Sequence, residues 1–301
     1  MKQRSPHSGR ILLGFGLAVF ATAVSFPSLA EDKMLPQDVA SKHLDSIGAA
    51  ETRATIKNRI VAGTVVFTVS APSNAKFNGD VVLASEGSKN MIAMSFGSPG
   101  TAQEKFVFDG SKVTAESPRP GSRGYWGDFL LTHDNIVKHG LVGGVLSESW
   151  PLLNLSNKRQ SLEYRGTKKI DGKTLHEIEY VPRGSSDLKI VLFFEAETFR
   201  HVRSEYTRVI SAGLGGGRTL PSGAIAGPAD ASGQQRTTRY KMVEEFGNFK
   251  KEGGLNLPHS YKVKLEFDTR GGVQVMDWDF TLTDFAFNQP IPPATFNGKA
   301  N

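Results

Sequence analysis

Seven histidines, a pair of aspartates around Trp278 and a glycine cluster at 213–217 are the residues of this chain whose types invite a chemical reading. Each of them is bland on inspection. His7, His43, His133, His139, His176, His201 and His259 include no pair at the i, i+4 spacing that puts two imidazoles on one helix face, and His133 and His139, six apart, point about 240° from each other around a helix. His176 and Glu177 are neighbours, so on a strand they face opposite ways. Gly213-Leu214-Gly215-Gly216-Gly217 is followed by no Lys-Ser or Lys-Thr and leads into no helix that could hold an anion, so no nucleotide cofactor is expected. The chain has no cysteine and no Gly-x-Ser-x-Gly elbow. Asp277 and Asp279 could pair as catalytic carboxylates, but apolar residues alternate along the rest of their strand, and a solvated face is the better reading. No catalytic residue, metal site or cofactor is nominated.

Composition points the same way. Of 36 basic residues three fall in the first thirty positions, where no acid occurs; against 30 acids the rest of the chain keeps an excess of three. That is too mild for a nucleic-acid partner. With 39% hydrophobic and 22% charged residues over 301 positions, the chain is an ordinary globular protein, long enough to bury a core without disulfides.

The first thirty residues read as an address. Lys2, Arg4 and Arg10 precede an apolar run from Ile11 to Val24, and Ser28-Leu29-Ala30 supplies the small residues of a cleavage site. The run is shorter than the ~20 residues of a spanning helix. Residues 1–30 are therefore expected to be a cleaved signal peptide. No cysteine follows to take a lipid, so residues 31–301 are expected as a single soluble domain in the periplasm.

Helical spacing of Val39, Ala40, His43, Leu44 and Ile47 before Gly48 predicts a first helix, and a second, short one is expected over 51–57. Period-2 alternation then predicts twelve strands, at 60–70, 77–85, 91–96, 104–108, 113–116, 161–167, 175–181, 188–195, 201–210, 236–246, 260–267 and 273–287. Turns such as Asp109-Gly110, Asp171-Gly172 and Gly253-Gly254 sit between them at hairpin spacing, too close for crossover helices, so the sheet is expected to be antiparallel. Between Asp128 and Trp150 the apolar positions follow a helical stripe punctuated by Gly140, Gly143 and Gly144, which calls for close packing or freedom to move. Residues 211–235, rich in glycine and proline, read as a long flexible hairpin loop. Nineteen phenylalanines, many at alternating strand positions, give one sheet face more apolar area than a small core needs, so that face either meets a second layer or keeps a hydrophobic cavity.

The order of these elements, with Phe106-Val107-Phe108-Asp109-Gly110, Ile170-Asp171-Gly172-Lys173, Phe246-Gly247-Asn248-Phe249-Lys250 with Leu257-Pro258, and the closing Phe285-Ala286-Phe287-Asn288-Gln289-Pro290, resembles the superfamily of periplasmic lipoprotein-localisation factors, LolA and LolB. Gly140-Leu141-Val142-Gly143-Gly144-Val145-Leu146 leading to Trp150-Pro151-Leu152-Leu153 is similar, more closely still, to uncharacterised exported members from soil bacteria. The resemblance implies a mainly β fold, an unclosed or half β-barrel made of a curved antiparallel sheet lidded by a few helices, and a non-catalytic periplasmic carrier of lipid, lipoprotein acyl chains or another hydrophobic ligand. It implies a monomer, with envelope membrane proteins as further partners. Val65, Phe67, Val69, Ile92, Met94, Phe96, Phe106 and Phe108 are then expected to line the groove, with Leu141, Val145 and Leu146 as lid. The lipoprotein carriers hold their lid through an arginine in a Lys-Arg-Pro stretch; the comparable stretch here, Leu83 to Lys89, has none. The alternative is a structural or interaction module of the envelope with a filled core and no ligand.

Overall fold

Two β-meanders meet in the middle of one sheet. A computed structural model describes residues 34–71, 74–97, 103–116, 124–154, 160–184, 186–210, 238–269 and 272–298. The expected signal peptide and the expected flexible loop 211–235 lie outside the described residues. The helices α1 (Pro36–Ile47) and α2 (Ala50–Thr55) come first. The first meander follows: β1 (Asn58–Ala71), β2 (Ala75–Glu86), β3 (Lys89–Phe96), β4 (Gln103–Phe108) and β5 (Val113–Glu116). After α3 (Tyr125–Thr132) and α4 (Asp134–Lys138) comes the second: β6 (Gln160–Ile170), β7 (Lys173–Pro182), β8 (Lys189–Glu195), β9 (His201–Ile210), β10 (Thr238–Glu252), β11 (Leu255–Thr269) and β12 (Gly272–Phe287).

The spatial order is β5-β4-β3-β2-β1-β12-β11-β10-β9-β8-β7-β6, every pairing antiparallel, with the last strand seated beside the first. That order leaves β5 and β6 at opposite edges, so the sheet is open, a curved antiparallel sheet with few helices as the sequence predicts. The chain must also travel from one edge to the other between residues 116 and 160. The described part of that connection, residues 124–154, lies across the inner face of the sheet.

Alternation decides which face is inside. Met276, Trp278, Phe280 and Leu282 on β12, Tyr261, Val263, Leu265 and Phe267 on β11, and Val61 and Val65 on β1 point inward and are buried. Their outward neighbours are charged and cross-paired, Lys262 with Asp279 at 2.8 Å and Lys264 with Asp277 at 3.9 Å. The two aspartates thus belong to a solvated outer face. On the inner face α1 contributes Val39, Ala40, His43 and Ile47, all buried.

Candidate functional site

The helical stripe over 128–150 is broken into pieces at its glycines and at His133. His133 (φ −116°, ψ 45°) ends α3, and α4 is a bare turn and a half. Gly140, Gly143 and Gly144 all take left-handed φ values, +70°, +81° and +49°, after which single 3-10 turns occur at Gly144–Leu146 and Pro151–Leu153. Two of these glycines also permit close approach. A Cβ on Gly140 would stand 1.9 Å from the Ser149 carbonyl oxygen, and one on Gly144 would stand 3.0 Å from both His201 Nδ1 and the Phe246 ring. We call residues 125–153 the lid.

All eleven residues expected at the groove lie in or against one apolar cluster. Val65, Ile92, Met94, Phe96, Phe106 and Phe108 from the sheet and Leu141, Val145 and Leu146 from the lid are buried in it; Phe67 and Val69 are half-buried at its margin, Phe67 stacked between Phe77 and Trp278. The lid's side chains therefore fill the concave face. Two clefts of about 280 Å³ each lie elsewhere, one on the charged outer face around Lys262 and Asp279 and one at the β7–β8 turn.

What fastens the lid is polar. As it crosses the strands, it meets one buried or half-buried polar side chain after another. On the β7 side, His139 Nδ1 lies 3.0 Å from Tyr180 Oη. On β10, Glu244 is fully buried: its Oε1 accepts the Gly143 N–H at 2.8 Å and the Tyr261 hydroxyl at 2.6 Å, and its Oε2 accepts the Tyr206 hydroxyl at 2.6 Å. Burial pushes the Glu244 carboxyl above the usual range, against the pull of those three donors. On β1, Arg59, also buried, donates to the Val145 carbonyl and, at 2.6 Å, to Glu148 of the lid. On β2 and β3, Ser85 accepts the Glu148 N–H at 2.9 Å and Asn90 donates to Ser149 at 3.3 Å. The far end is pinned by Trp150, whose indole N–H donates to His43 Nε2 at 3.1 Å while the other ring nitrogen of His43 donates to the Phe199 carbonyl at 3.1 Å. Burial lowers His43 to about 4, so it is neutral at pH 7, the form these two bonds require.

Arg59, Glu244, Tyr206, Tyr261 and the His43–Trp150 pair were not singled out by spacing. A signal existed for two of them: Arg59 and Glu244 each stand as a lone charge in an inward, apolar row, Arg59-Val61 on β1 and Met242-Glu244-Phe246 on β10. Arg59 lies on the strand paired with Leu83–Glu86, and its bonds to Val145 and Glu148 join the lid to the sheet there. A further carboxyl of the inner face, Glu104 on β4, is raised to about 7 by burial, and one of its oxygens has no hydrogen-bond partner among the described residues. Among the described residues no three His, Asp or Glu side chains form a metal-holding group, and no helix is long and apolar enough to cross a membrane.

With this geometry in place, comparison with known proteins adds a likeness of shape. No family model matches the chain, and no curated protein matches it. Among solved structures it is similar to a LolA superfamily protein from Nitrosomonas europaea, at 15% identity and TM-score 0.41 over 88% of this chain and 98% of that one. It is similar also to a putative outer membrane lipoprotein-sorting protein domain from Vibrio parahaemolyticus (14%, TM-score 0.40, 86% and 97%) and to a DUF1329 family protein from Desulfovibrio piger (12%, TM-score 0.38, 87% and 95%). The likeness is one of fold alone.

Proposed function

We propose that this chain is an exported, non-catalytic carrier of an acyl chain, which enters the concave face when the lid lifts. The observation that carries the reading is the way the lid is held: an apolar face of twelve strands is covered by an irregular segment fastened through Arg59, Glu244 and His43. A permanent core is more cheaply built from apolar groups alone, because each buried charge must be desolvated. Polar fastenings cost little to exchange for water or for a ligand's polar group.

Magnitudes fit an exchange. A chain of about fourteen carbons brings on the order of 10 kcal/mol of transfer free energy at about 0.8 kcal/mol per methylene. Withdrawing Leu141, Val145 and Leu146 forfeits roughly 1.5 to 3 kcal/mol each. The difference is a few kcal/mol before the cost of association is subtracted, so cargo would be held weakly enough to release. Val65, Phe67, Val69, Ile92, Met94, Phe96, Phe106 and Phe108 would line the chain's path.

One observation favours a second reading, an envelope interaction module without a ligand: the concave face is already full. Mass spectrometry of the protein purified from its native compartment, before and after organic extraction, separates the two. The carrier reading expects extractable acyl species. Ligand-free protein that also fails to take up an apolar fluorescent probe would sink it.

A further inference from the structure

Three consecutive lid residues present both halves of a polar group to the sheet. The N–H of Gly143 goes to Glu244, and the carbonyl of Val145 goes to Arg59, which is also bound by the carboxylate of Glu148. Both sheet residues are buried on the inner face, Glu244 fully and Arg59 at 2% exposure. Lifting the lid removes every one of these partners except Tyr206 and Tyr261, which stay with Glu244 because they belong to β9 and β11. Arg59 then has neither of its two acceptors, and its Nε has no partner even with the lid closed.

A cargo that covered this floor with methylenes alone would leave a guanidinium and a carboxyl buried without their bonds, which is the arrangement proteins tolerate least. The cargo must therefore bring an acceptor to Arg59, best an anionic one to replace Glu148, and a donor to Glu244 to replace Gly143. The acceptor and donor must lie within the span of a few backbone bonds, because a stretch of three residues satisfies both now.

Resting on the carrier reading, we infer that the lid's Gly143–Val145 backbone occupies the seat of the ligand's polar group, and that the preferred ligand is an N-acylated amino acid. Its carboxylate takes Arg59, its amide N–H takes Glu244, and its acyl chain takes the place of Leu141, Val145 and Leu146. An O-acyl analogue has the same length and charge but offers Glu244 an ester oxygen where a donor is needed. The two tyrosines cannot relieve that mismatch: each has one hydroxyl proton and Glu244 accepts it at 2.6 Å, while the longer contact of Tyr206 to the Leu141 carbonyl, 3.3 Å, leaves with the lid.

The test compares three probes on the full mature chain by displacement of an apolar dye: N-dodecanoylglycine, its ester isostere dodecanoyloxyacetate, and the neutral N-dodecanoylglycinamide. N-dodecanoylglycine is expected to bind roughly tenfold or more tightly than either, the ester lacking the donor and the glycinamide lacking the charge. Arg59→Met should remove the preference over glycinamide and keep the preference over the ester; should that variant not fold, the wild-type series decides alone. Equal affinities for the amide and the ester would overturn the inference and leave the carrier reading standing. If no probe displaces the dye and the dye itself does not bind, both fall together.

Discussion

Glu104 shows what one carboxyl on the inner face does. It sits on β4 among apolar neighbours, and burial holds it protonated up to about pH 7, whereas in the unfolded chain it ionises near 4.5. The native state thus binds the proton more tightly, so this contribution to stability is complete below pH 4.5 and is lost as pH rises through 7. The full swing is at most about 3 kcal/mol. His43 works in the opposite sense, its contribution falling away as pH drops from 6.5 towards 4. The two overlap, so the comparison with Glu104→Gln isolates the carboxyl: relative to wild type, the variant should gain stability steadily in urea unfolding between pH 5 and pH 8. Identical pH profiles for the two proteins would contradict the buried, proton-holding environment. Residues of this kind were hardest to see in the sequence. Arg59 and Glu244 each occupy one position in an alternating row, and period-2 patterning reports the row's majority, not its exception.

Among elements, the strands and the lid differ in how they are specified. All twelve strands were legible, because alternation persists through each: the expectation of 60–70 became Asn58–Ala71, and that of 273–287 became Gly272–Phe287. The largest discrepancy lies at the β10–β11 hairpin, Thr238–Glu252 and Leu255–Thr269, where Gly247, Asn248 and Pro258 disguise strand that runs on to the Gly253-Gly254 turn. The lid's apolar spacing is helical over 128–150, but three positive-φ glycines and the break at His133 divide it into short helices and single turns. The glycines make a separable prediction. Gly140→Ala and Gly143→Ala carry a similar left-handed penalty of about 1 to 2 kcal/mol, but an added Cβ meets the Ser149 carbonyl at 1.9 Å at Gly140 and nothing nearer than 4.0 Å at Gly143. Urea midpoints should therefore fall further for Gly140→Ala, by roughly a further 1 to 3 kcal/mol. Equal losses would mean that the 140–149 hairpin of the lid is not tightly closed on itself.

At the scale of the molecule, the topology explains why a lid exists at all. A sheet whose first and last strands are neighbours puts the midpoint of the chain between its two edges, β5 and β6, and the described residues of that midpoint, 124–154, lie over the inner face. The segment doubles back over that face: α3 packs against β5, His139 reaches Tyr180 on β7, and residues 143–149 return over β10, β1, β2 and β3, fastened by a polar side chain on each. The antiparallel order could be read from strand spacing and the lack of room for crossover helices, whereas the open sheet was implied only by the family resemblance. That the crossing would fill the groove could not be read, since alternation marks a face as apolar without saying what covers it.

The central claim is that ligand enters only when this crossing lifts, and a reversible clasp tests it most directly. The chain contains no cysteine, and Asn90 on β3 touches Ser149 of the lid at 3.3 Å, so Asn90→Cys with Ser149→Cys, its disulfide confirmed by loss of free thiol, is the clasp to build in an otherwise thiol-free protein. Uptake of an apolar fluorescent probe should be lost in the oxidised form and restored by reductant, with the far-UV signal unchanged. Undiminished uptake with the clasp closed would contradict the account.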